Sequence, residues 1–429
     1  MKLLLKILFI LYFIFLSFTD TFSLSGILIL PVIISVFIVF FGLIKLTSER
    51  YINSKNLKIY KSEDVFILIG LIGLIFSSLI NPNSNSINYI LAYFYVFLIS
   101  IFFHKFMLNK YFNILKVLKY NFYGVLLTSS FVFVDFWFEF LGIINLQNYL
   151  PRTKEASATY KSIFPRAYGF SDEPTNLAFY LNTLGTLSLL YVWKFSNFSK
   201  ITKLIFTFLV IFSWLVTFSS AGIVSMLFSI TLVVFFLFFK NILKNKKIYI
   251  KKNNILFMLV FFLLILVLIF NINFIIDMFN PIYNQTKEAF EFLNYNNINK
   301  FDSRRVREWK FGLRSSFKDV NNFLFGVGPG YRASKGLGSL INWHLFLFYE
   351  GGLFTYLPFL LYLIFSGIRM VTSDLEYKWW FFIPFLAGCI HYFAISTFFE
   401  PFLWTLIIIF IISEVQYKNI DFGNRGVRQ

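Results

Sequence analysis

Ala221-Gly222-Ile223-Val224-Ser225-Met226-Leu227-Phe228-Ser229-Ile230-Thr231-Leu232-Val233-Val234-Phe235-Phe236-Leu237-Phe238-Phe239 contains no charged side chain and is closed by Lys240. At about 1.5 Å of rise per residue, a helix of this length reaches across a hydrocarbon layer about 30 Å thick while satisfying its own backbone. The rest of the chain has the same character. Of 429 residues, 58% are hydrophobic, 14% are charged and 63 are Phe, whereas soluble domains carry about a quarter charged residues. This balance excludes intrinsic disorder, collagen-like repeats, a coiled coil and a water-soluble enzyme. The net charge of +18 reads first as a signal of membrane orientation, since Lys and Arg gather in cytoplasmic loops, and nucleic acid is not an expected partner. Cys389 is the single cysteine and lies in an apolar run, so no internal disulfide forms.

Working outward, twelve segments meet the crossing criterion: Leu3 to Phe18, Leu24 to Ile44, Val65 to Ile80, Ile87 to Phe103, Leu118 to Ile144, Asn176 to Trp193, Ile201 to Phe218, Ala221 to Phe239, Ile255 to Ile276, Ile341 to Gly367, Trp379 to Thr397 and Phe402 to Ser413. The first follows Lys2 and Lys6 as a signal peptide would, but no small-residue cleavage site follows it, so it reads as a retained anchor. The expected fold is an all-α polytopic membrane protein of about twelve transmembrane helices with two long periplasmic loops, the second partly helical. Helices 1–5 occupy 1–144 and the first loop 145–175. Helices 6–9 occupy 176–276, the large loop 277–340, helices 10–12 residues 341–413 and a cytoplasmic tail 414–429.

Basic residues test this division. Both termini and the loops around Lys45 to Lys61, Lys105 to Lys119, Lys194 to Lys203, Lys240 to Lys252 and Arg369 to Lys378 hold 25 of the 39 Lys and Arg. That set is assigned to the cytoplasm. Opposite it, the short loops near Asp20, Pro82, Ser219 and Phe398 hold no Lys or Arg, and the remaining 14 lie in the two long loops. Cations concentrated on a face where short loops have none suggest a bound anion; ordinary loop composition is the alternative.

The first long loop ends in Pro165-Arg166-Ala167-Tyr168-Gly169-Phe170-Ser171-Asp172-Glu173-Pro174. Pro174 suits the first helical position, which predicts Glu173 as the cap and aims a positive helix end at the space around Arg166. Arg166 either binds an anion there or pairs with the neighbouring acids. The second loop carries Ser303-Arg304-Arg305-Val306-Arg307-Glu308-Trp309-Lys310-Phe311-Gly312-Leu313-Arg314, an amphipathic helix in which Arg304, Arg307, Arg314 and Lys318 share one side and Arg305 lies beside Trp309. Guanidinium forks match phosphate oxygens and do not titrate; the alternative is an interfacial helix anchored by Trp309 and Phe311. Phe325-Gly326-Val327-Gly328-Pro329-Gly330-Tyr331-Arg332 is a turn that bends the loop back, since its glycine spacing is not that of a dinucleotide motif. His344 then sits at the mouth of the tenth segment, with Glu350 nearly two turns deeper, and ionisable groups in such places are functional candidates.

Together these residues resemble the bacterial O-antigen polymerase and O-antigen ligase family, multispanning enzymes that act on undecaprenyl-pyrophosphate-linked glycans at the periplasmic side. The resemblance rests on Arg305 and Trp309, the turn Phe325 to Gly330, His344, and Glu350 with Gly351; Arg166 in Arg-Ala-Tyr-Gly and the Ser219-Ser220-Ala221-Gly222 turn add to it. These stretches cover about a quarter of the chain. The family often has Asn after the His, where this chain has Leu345.

The resemblance implies direct glycosyl transfer without cofactor or metal, and the three histidines, His104, His344 and His391, form no metal-type spacing. It implies catalytic roles for Arg166, Arg305 and His344, and substrate contacts for Arg304, Arg307, Arg332, Glu173 and Glu350, with Glu173 or Glu350 as fallback base. Expected partners are an undecaprenyl-pyrophosphate-linked oligosaccharide, membrane lipids and a chain-length regulator. The expected location is the bacterial inner membrane, with both termini cytoplasmic and the active site periplasmic. Arg-Ala-Tyr-Gly-Phe-Ser-Asp-Glu-Pro favours the polymerase branch of lipopolysaccharide biosynthesis over the ligase. A transporter or flippase remains the reading from a different class, with Asp135 and Glu139 as its intramembrane charges.

Overall fold

The computed structural model describes residues 1–23, 28–49, 59–152, 160–161, 164–245, 304–338, 340–396 and 400–425; for 160–161, 239–245, 304–307 and 417–425 only the backbone course is described. The protein is mostly helical. We number the helices α1 (Lys2–Ile14), α2 (Leu30–Ser48), α3 (Asp64–Ile80), α4 (Ser86–Tyr111), α5 (Ile114–Phe140), α6 (residues 174–195), α7 (Lys200–Leu215) and α8 (Ser220–Asn245). After these come α9 (Arg304–Ser316), α10 (Val320–Phe325), α11 (Tyr331–Ser334), α12 (Trp343–Thr372), α13 (Trp379–His391) and α14 (Phe402–Arg425). A two-residue antiparallel ladder, Tyr160–Lys161 with Phe164–Pro165, is the β structure among the described residues.

Five helices among the described residues are long and apolar enough to cross a membrane: α2, α4, α5, α12 and the stretch Ser220–Phe238 of α8. Helices also occupy six more of the segments singled out by hydropathy, and the remaining one, 255–276, lies outside the described residues. Two helices differ in length from expectation. α1 stops at Ile14, and its 13 residues span only about 20 Å. Residues 17–20 turn away because α5 and the first long loop take them up: Ser17 Oγ lies 2.7 Å from Thr128 Oγ1 of α5, and Arg152 Nη1 of the loop is 3.2 Å from Asp20 Oδ2. At the other terminus α14 continues to Arg425, so the expected tail from 414 is helical for most of its length. Its extra turn is held by Gln416, which accepts from the Ile114 amide at 2.8 Å and donates to the Phe112 carbonyl at 2.9 Å.

π-helical stretches widen α4 at Tyr95–His104 and α6 at Leu181–Gly185 and Tyr191–Phe195. Such widening frees carbonyls, and side chains take them up: Asn121 Nδ2 donates to the Leu184 carbonyl at 2.8 Å.

The helix ends separate into two sets. At one end, Arg369 pairs with Glu63 and Glu414, Lys61 with Glu414 at 3.3 Å, Lys105 with Asp64 at 2.5 Å, and Lys45 and Lys110 with Glu49. The hydrogen bond from Lys110, with the second from Lys45, holds the Glu49 carboxyl down to about 2. We call this the basic end. At the opposite end, the loop end, the C-termini of α1, α3, α5, α7 and α13 meet the N-termini of α4, α6, α8, α12 and α14. The Trp343 amide donates to the Tyr392 carbonyl at 2.8 Å, the Ala167 amide donates to the Val216 carbonyl at 3.0 Å, and Asn81 Nδ2 donates to the Gly326 carbonyl at 2.7 Å. Among the described residues, successive helices from α1 to α8 and from α12 to α14 therefore alternate in direction, and the described parts of both long loops lie at the loop end.

Candidate functional site

α12 is broken at Gly352, whose φ of 67° and ψ of −171° interrupt an otherwise helical run. A break strands carbonyls of the preceding turn, and buried carbonyls need donors. The turn 326–330 supplies them. The Val327 amide donates to the Tyr349 carbonyl at 2.9 Å and the Gly328 amide to the Glu350 carbonyl at 3.0 Å, while Ser77 Oγ donates to that same carbonyl at 2.8 Å. The turn thus caps an internal helix break as well as reversing the chain. Its glycines are forced at two points: Gly328 has φ +96° and a methyl there would collide with the Asn81 carbonyl oxygen, and a methyl on Gly326 would meet the Glu350 carbonyl. Both a positive φ and a backbone collision oppose Gly328→Ala, so that variant is expected to lower the thermal midpoint in detergent by an amount corresponding to at least about 1–3 kcal/mol. A midpoint equal to the parent's would refute the close docking.

Glu350 is 0% exposed. Its Oε1 accepts from the Gly330 amide at 3.0 Å, and its Oε2 has no hydrogen-bond partner among the described residues. Two residues past Gly330 comes Arg332, expected as a substrate contact but only 5% exposed. Its guanidinium donates to the Gly338 carbonyl at 2.5 Å, pairs with Glu308 at 2.6 Å and covers the Phe311 ring at 5.2 Å. These contacts commit it to joining the turn to α9.

α9 packs on the start of α12. Trp309 Nε1 donates to the Ile341 carbonyl at 3.0 Å, and Gly312 has Leu340 and Leu345 so close that a methyl would crowd both. Trp309, read from sequence as a possible interfacial anchor, is thus bonded to the protein itself. Leu345 occupies the position where the resembling family often carries Asn, and here it supplies apolar surface for α9. Arg304, Arg305 and Arg307 form the first turn of that helix; their side chains lie outside the described set.

His344 stands in the first turn of α12, 8% exposed, packed against Phe393 at a ring separation of 4.5 Å. Its Nε2 lies 3.3 Å from the Cys389 carbonyl. A carbonyl oxygen only accepts, so Nε2 carries the hydrogen and a neutral ring leaves Nδ1 as an acceptor; Nδ1 is itself buried and has no partner among the described residues.

The first long loop is organised by a residue that sequence reasoning passed over. Arg152 donates to the Ser171 carbonyl at 2.8 Å, the Gly169 carbonyl at 2.5 Å, Asp20 at 3.2 Å and Gln147 Oε1, and its guanidinium lies 4.8 Å from the Tyr168 ring centroid. Gln147 in turn donates to the buried Asp135. The available signal was the pair of acids Asp20 and Asp135, which need a cation once buried, with Arg152 close in sequence to the second. Burial pushes the Tyr168 phenol up to about 12 against the pull of Arg152, and its hydroxyl makes no hydrogen bond among the described residues. Arg166 is half-buried and its Nε donates to the Thr217 carbonyl at 3.2 Å, at the turn into α8. Glu173 holds the N-cap position of α6 as expected, with the extended backbone usual there, but its exposed side chain makes no capping bond; Asn176 Nδ2 donates to the neighbouring Asp172 at 2.5 Å.

Arg166 and His344 share the loop end and are joined through packed residues. α8 leaves the Thr217 turn and packs Gly222 against Ala178 of α6. Phe179 stacks on His391 at 5.0 Å and meets Tyr392 at 5.1 Å, and the Tyr392 carbonyl holds the Trp343 amide.

Fold and site together define a class: a helical protein with several helices apolar enough to cross a membrane and a cation-bearing, glycine-clasped site at one end of its helices. The chain matches no protein-family profile and no curated protein.

Proposed function

We propose that the protein is a multipass glycosyltransferase of the bacterial inner membrane, an O-antigen polymerase that extends a lipid-linked glycan at the periplasmic face. In this reading the basic end is cytoplasmic, both termini lie there, and about twelve segments cross the bilayer. One observation carries it. Arg166 and the arginine-bearing turn of α9 belong to the two long loops, and the described parts of both loops lie at the loop end, where the short connections hold no Lys or Arg. Arginines collected there suit a diphosphate, and the sequence resemblance points to undecaprenyl pyrophosphate as its carrier.

The chemistry is a single displacement. A hydroxyl of the acceptor glycan attacks the anomeric carbon of the donor, a new C–O bond forms, and the bond from that carbon to the pyrophosphate oxygen breaks with inversion. His344 Nδ1 takes the hydroxyl proton, and Arg166 and Arg305 stabilise the charge on the departing undecaprenyl pyrophosphate. By helical spacing, position 305 shares a face with Trp309, Gly312 and Ser316, whereas 307 and 314 lie on the opposite face. That assigns Arg305 to catalysis and leaves Arg304 and Arg307 as weaker contacts. Arg332 serves the architecture.

The test is purified protein in detergent with a lipid-linked oligosaccharide: elongated lipid-linked product is expected, and its absence with retained binding would remove the assignment. Against a lipid A core acceptor, transfer would instead identify a ligase. His344→Ala is expected to reduce the elongation rate about 10²- to 10⁴-fold, as loss of a general base does. A wild-type rate would transfer that role to another group. One observation favours a transporter, the broken α12 with its buried Glu350, since broken helices carry coupling sites in transporters; glycan flux across proteoliposomes without product elongation would establish it.

A further inference from the structure

The segment from Glu308 to Glu350 contains two clamps in series. At the deep end, the break at Gly352 leaves the carbonyls of Tyr349 and Glu350 to the glycine turn, and the Glu350 carboxylate adds a third bond by accepting from the Gly330 amide at 3.0 Å. At the shallow end, Arg332 follows Gly330 directly through the single turn of α11 and pairs with Glu308 at 2.6 Å. Glu308 directly follows Arg307 in the first turns of α9 and sits one residue before Trp309, which is tied to residue 341.

We propose that Glu350 is a positioning residue, and that the Glu350–Gly330 bond and the Arg332–Glu308 pair together lock the arginine-bearing helix α9 to the broken helix α12. The two carboxylates play different parts from those that residue type suggests. Glu350 is 0% exposed and faces a backbone amide, so it acts through the turn. Glu308 sets the rotation of α9 about its axis, since an ion pair at one position of a short helix, with Trp309 bonded on the adjoining position, leaves one face inward. Removing Arg332 therefore frees the rotation of α9, and removing the Glu350 acceptor frees the turn from which Arg332 projects. This inference rests on the proposed function only in assigning a use to the arginines; the clamp itself is independent of it.

The experiment reads geometry and turnover separately in the full-length protein in nanodiscs. Nitroxide labels at position 314, exposed on α9, and position 364, exposed on α12, are placed in a Cys389→Ala background, and their distance distribution is recorded alongside the elongation rate. The parent is expected to give one narrow distribution. Arg332→Glu and Glu350→Ala are expected to broaden it and to lower the elongation rate at least about tenfold. Exchange of the pair, Glu308→Arg with Arg332→Glu, is expected to narrow it again. Glu350→Gln keeps a carbonyl acceptor for Gly330, and is expected to retain the narrow distribution and a rate within about threefold of the parent. Narrow distributions in every variant overturn the clamp. Glu350→Gln as inactive as Glu350→Ala, with geometry intact, overturns the positioning role and makes Glu350 a chemical group. Broadened distributions with parental elongation leave the clamp standing and overturn the catalytic reading of the arginines. Should Glu350→Ala fail to accumulate, the exchanged pair and Glu350→Gln still decide.

Discussion

Arg305→Ala is expected to slow lipid-linked chain elongation about 10²- to 10³-fold at unchanged protein level, the loss that follows removal of one preorganised donor to a developing anion. The size of the effect follows from what the guanidinium does. A guanidinium can offer two parallel N–H donors to the oxygens of a phosphate and keeps its charge at every working pH. Position 305 lies on the same helical face as Trp309 and Gly312, which are packed on residues 340–345, beside the turn that bears His344. Arg304→Ala and Arg307→Ala are expected to cost less than about tenfold, since by spacing they lie away from that face. Arg305→Lys is expected to recover only part of the rate, because an ammonium supplies a point charge without the fork. Initial rates in proteoliposomes containing each variant decide the matter. Equal losses at all three positions would indicate general attraction to anionic headgroups, with no catalytic arginine among them.

The second large effect is structural. Arg152→Ala removes the cation that the first long loop is built around, and breaking a buried ion pair by deleting one partner costs about 3–5 kcal/mol because the other charge stays buried. Asp20 would be that charge, and the carbonyls of Gly169 and Ser171 would lose a donor as well. Since Arg152 also holds Gln147, which donates to Asp135, the disturbance is expected to reach α5. The measurement is thermal unfolding in detergent, followed by the intrinsic fluorescence of the tryptophans. Adding Asp20→Asn is expected to recover part of the loss, because neighbouring substitutions that remove both charges are not additive. An unchanged midpoint for Arg152→Ala would mean that the pair contributes no net stability.

Much of the architecture was legible before the fold was known. Hydropathy located the eleven apolar stretches that are helical among the described residues, since an apolar run must bury its backbone and a helix does so locally. Lengths were less readable. Leu3 to Phe18 has enough apolar residues for a crossing, yet α1 ends at Ile14 because Ser17 and Asp20 take partners on α5 and the first loop. The end of α14 extended for a comparable reason, with Gln416 bonded to the start of α5. Pro174 correctly marked the start of α6, but the capping role given to Glu173 did not follow, as position along the chain does not fix side-chain direction.

At the site the division runs the same way. Residue type and spacing pointed to His344, to Glu350 and to the glycine turn, because glycines and ionisable groups inside apolar sequence are costly unless they are used. What spacing could not convey was who partners whom. Glu350 accepts from an amide 20 residues away, Arg332 serves Glu308 rather than the loop's open space, and Leu345 packs against Gly312.

The sequence by itself determined which apolar stretches of the described chain become helices and on which connections the cations collect, because both depend on free energies of transfer that each segment settles alone. Only the tertiary structure decided that Arg152 and Arg332 are internal ties, that α12 breaks at Gly352, and that the glycine turn closes the gap. Those outcomes depend on donors and acceptors brought together from distant parts of the chain, and a buried polar group takes whichever partner the packing delivers.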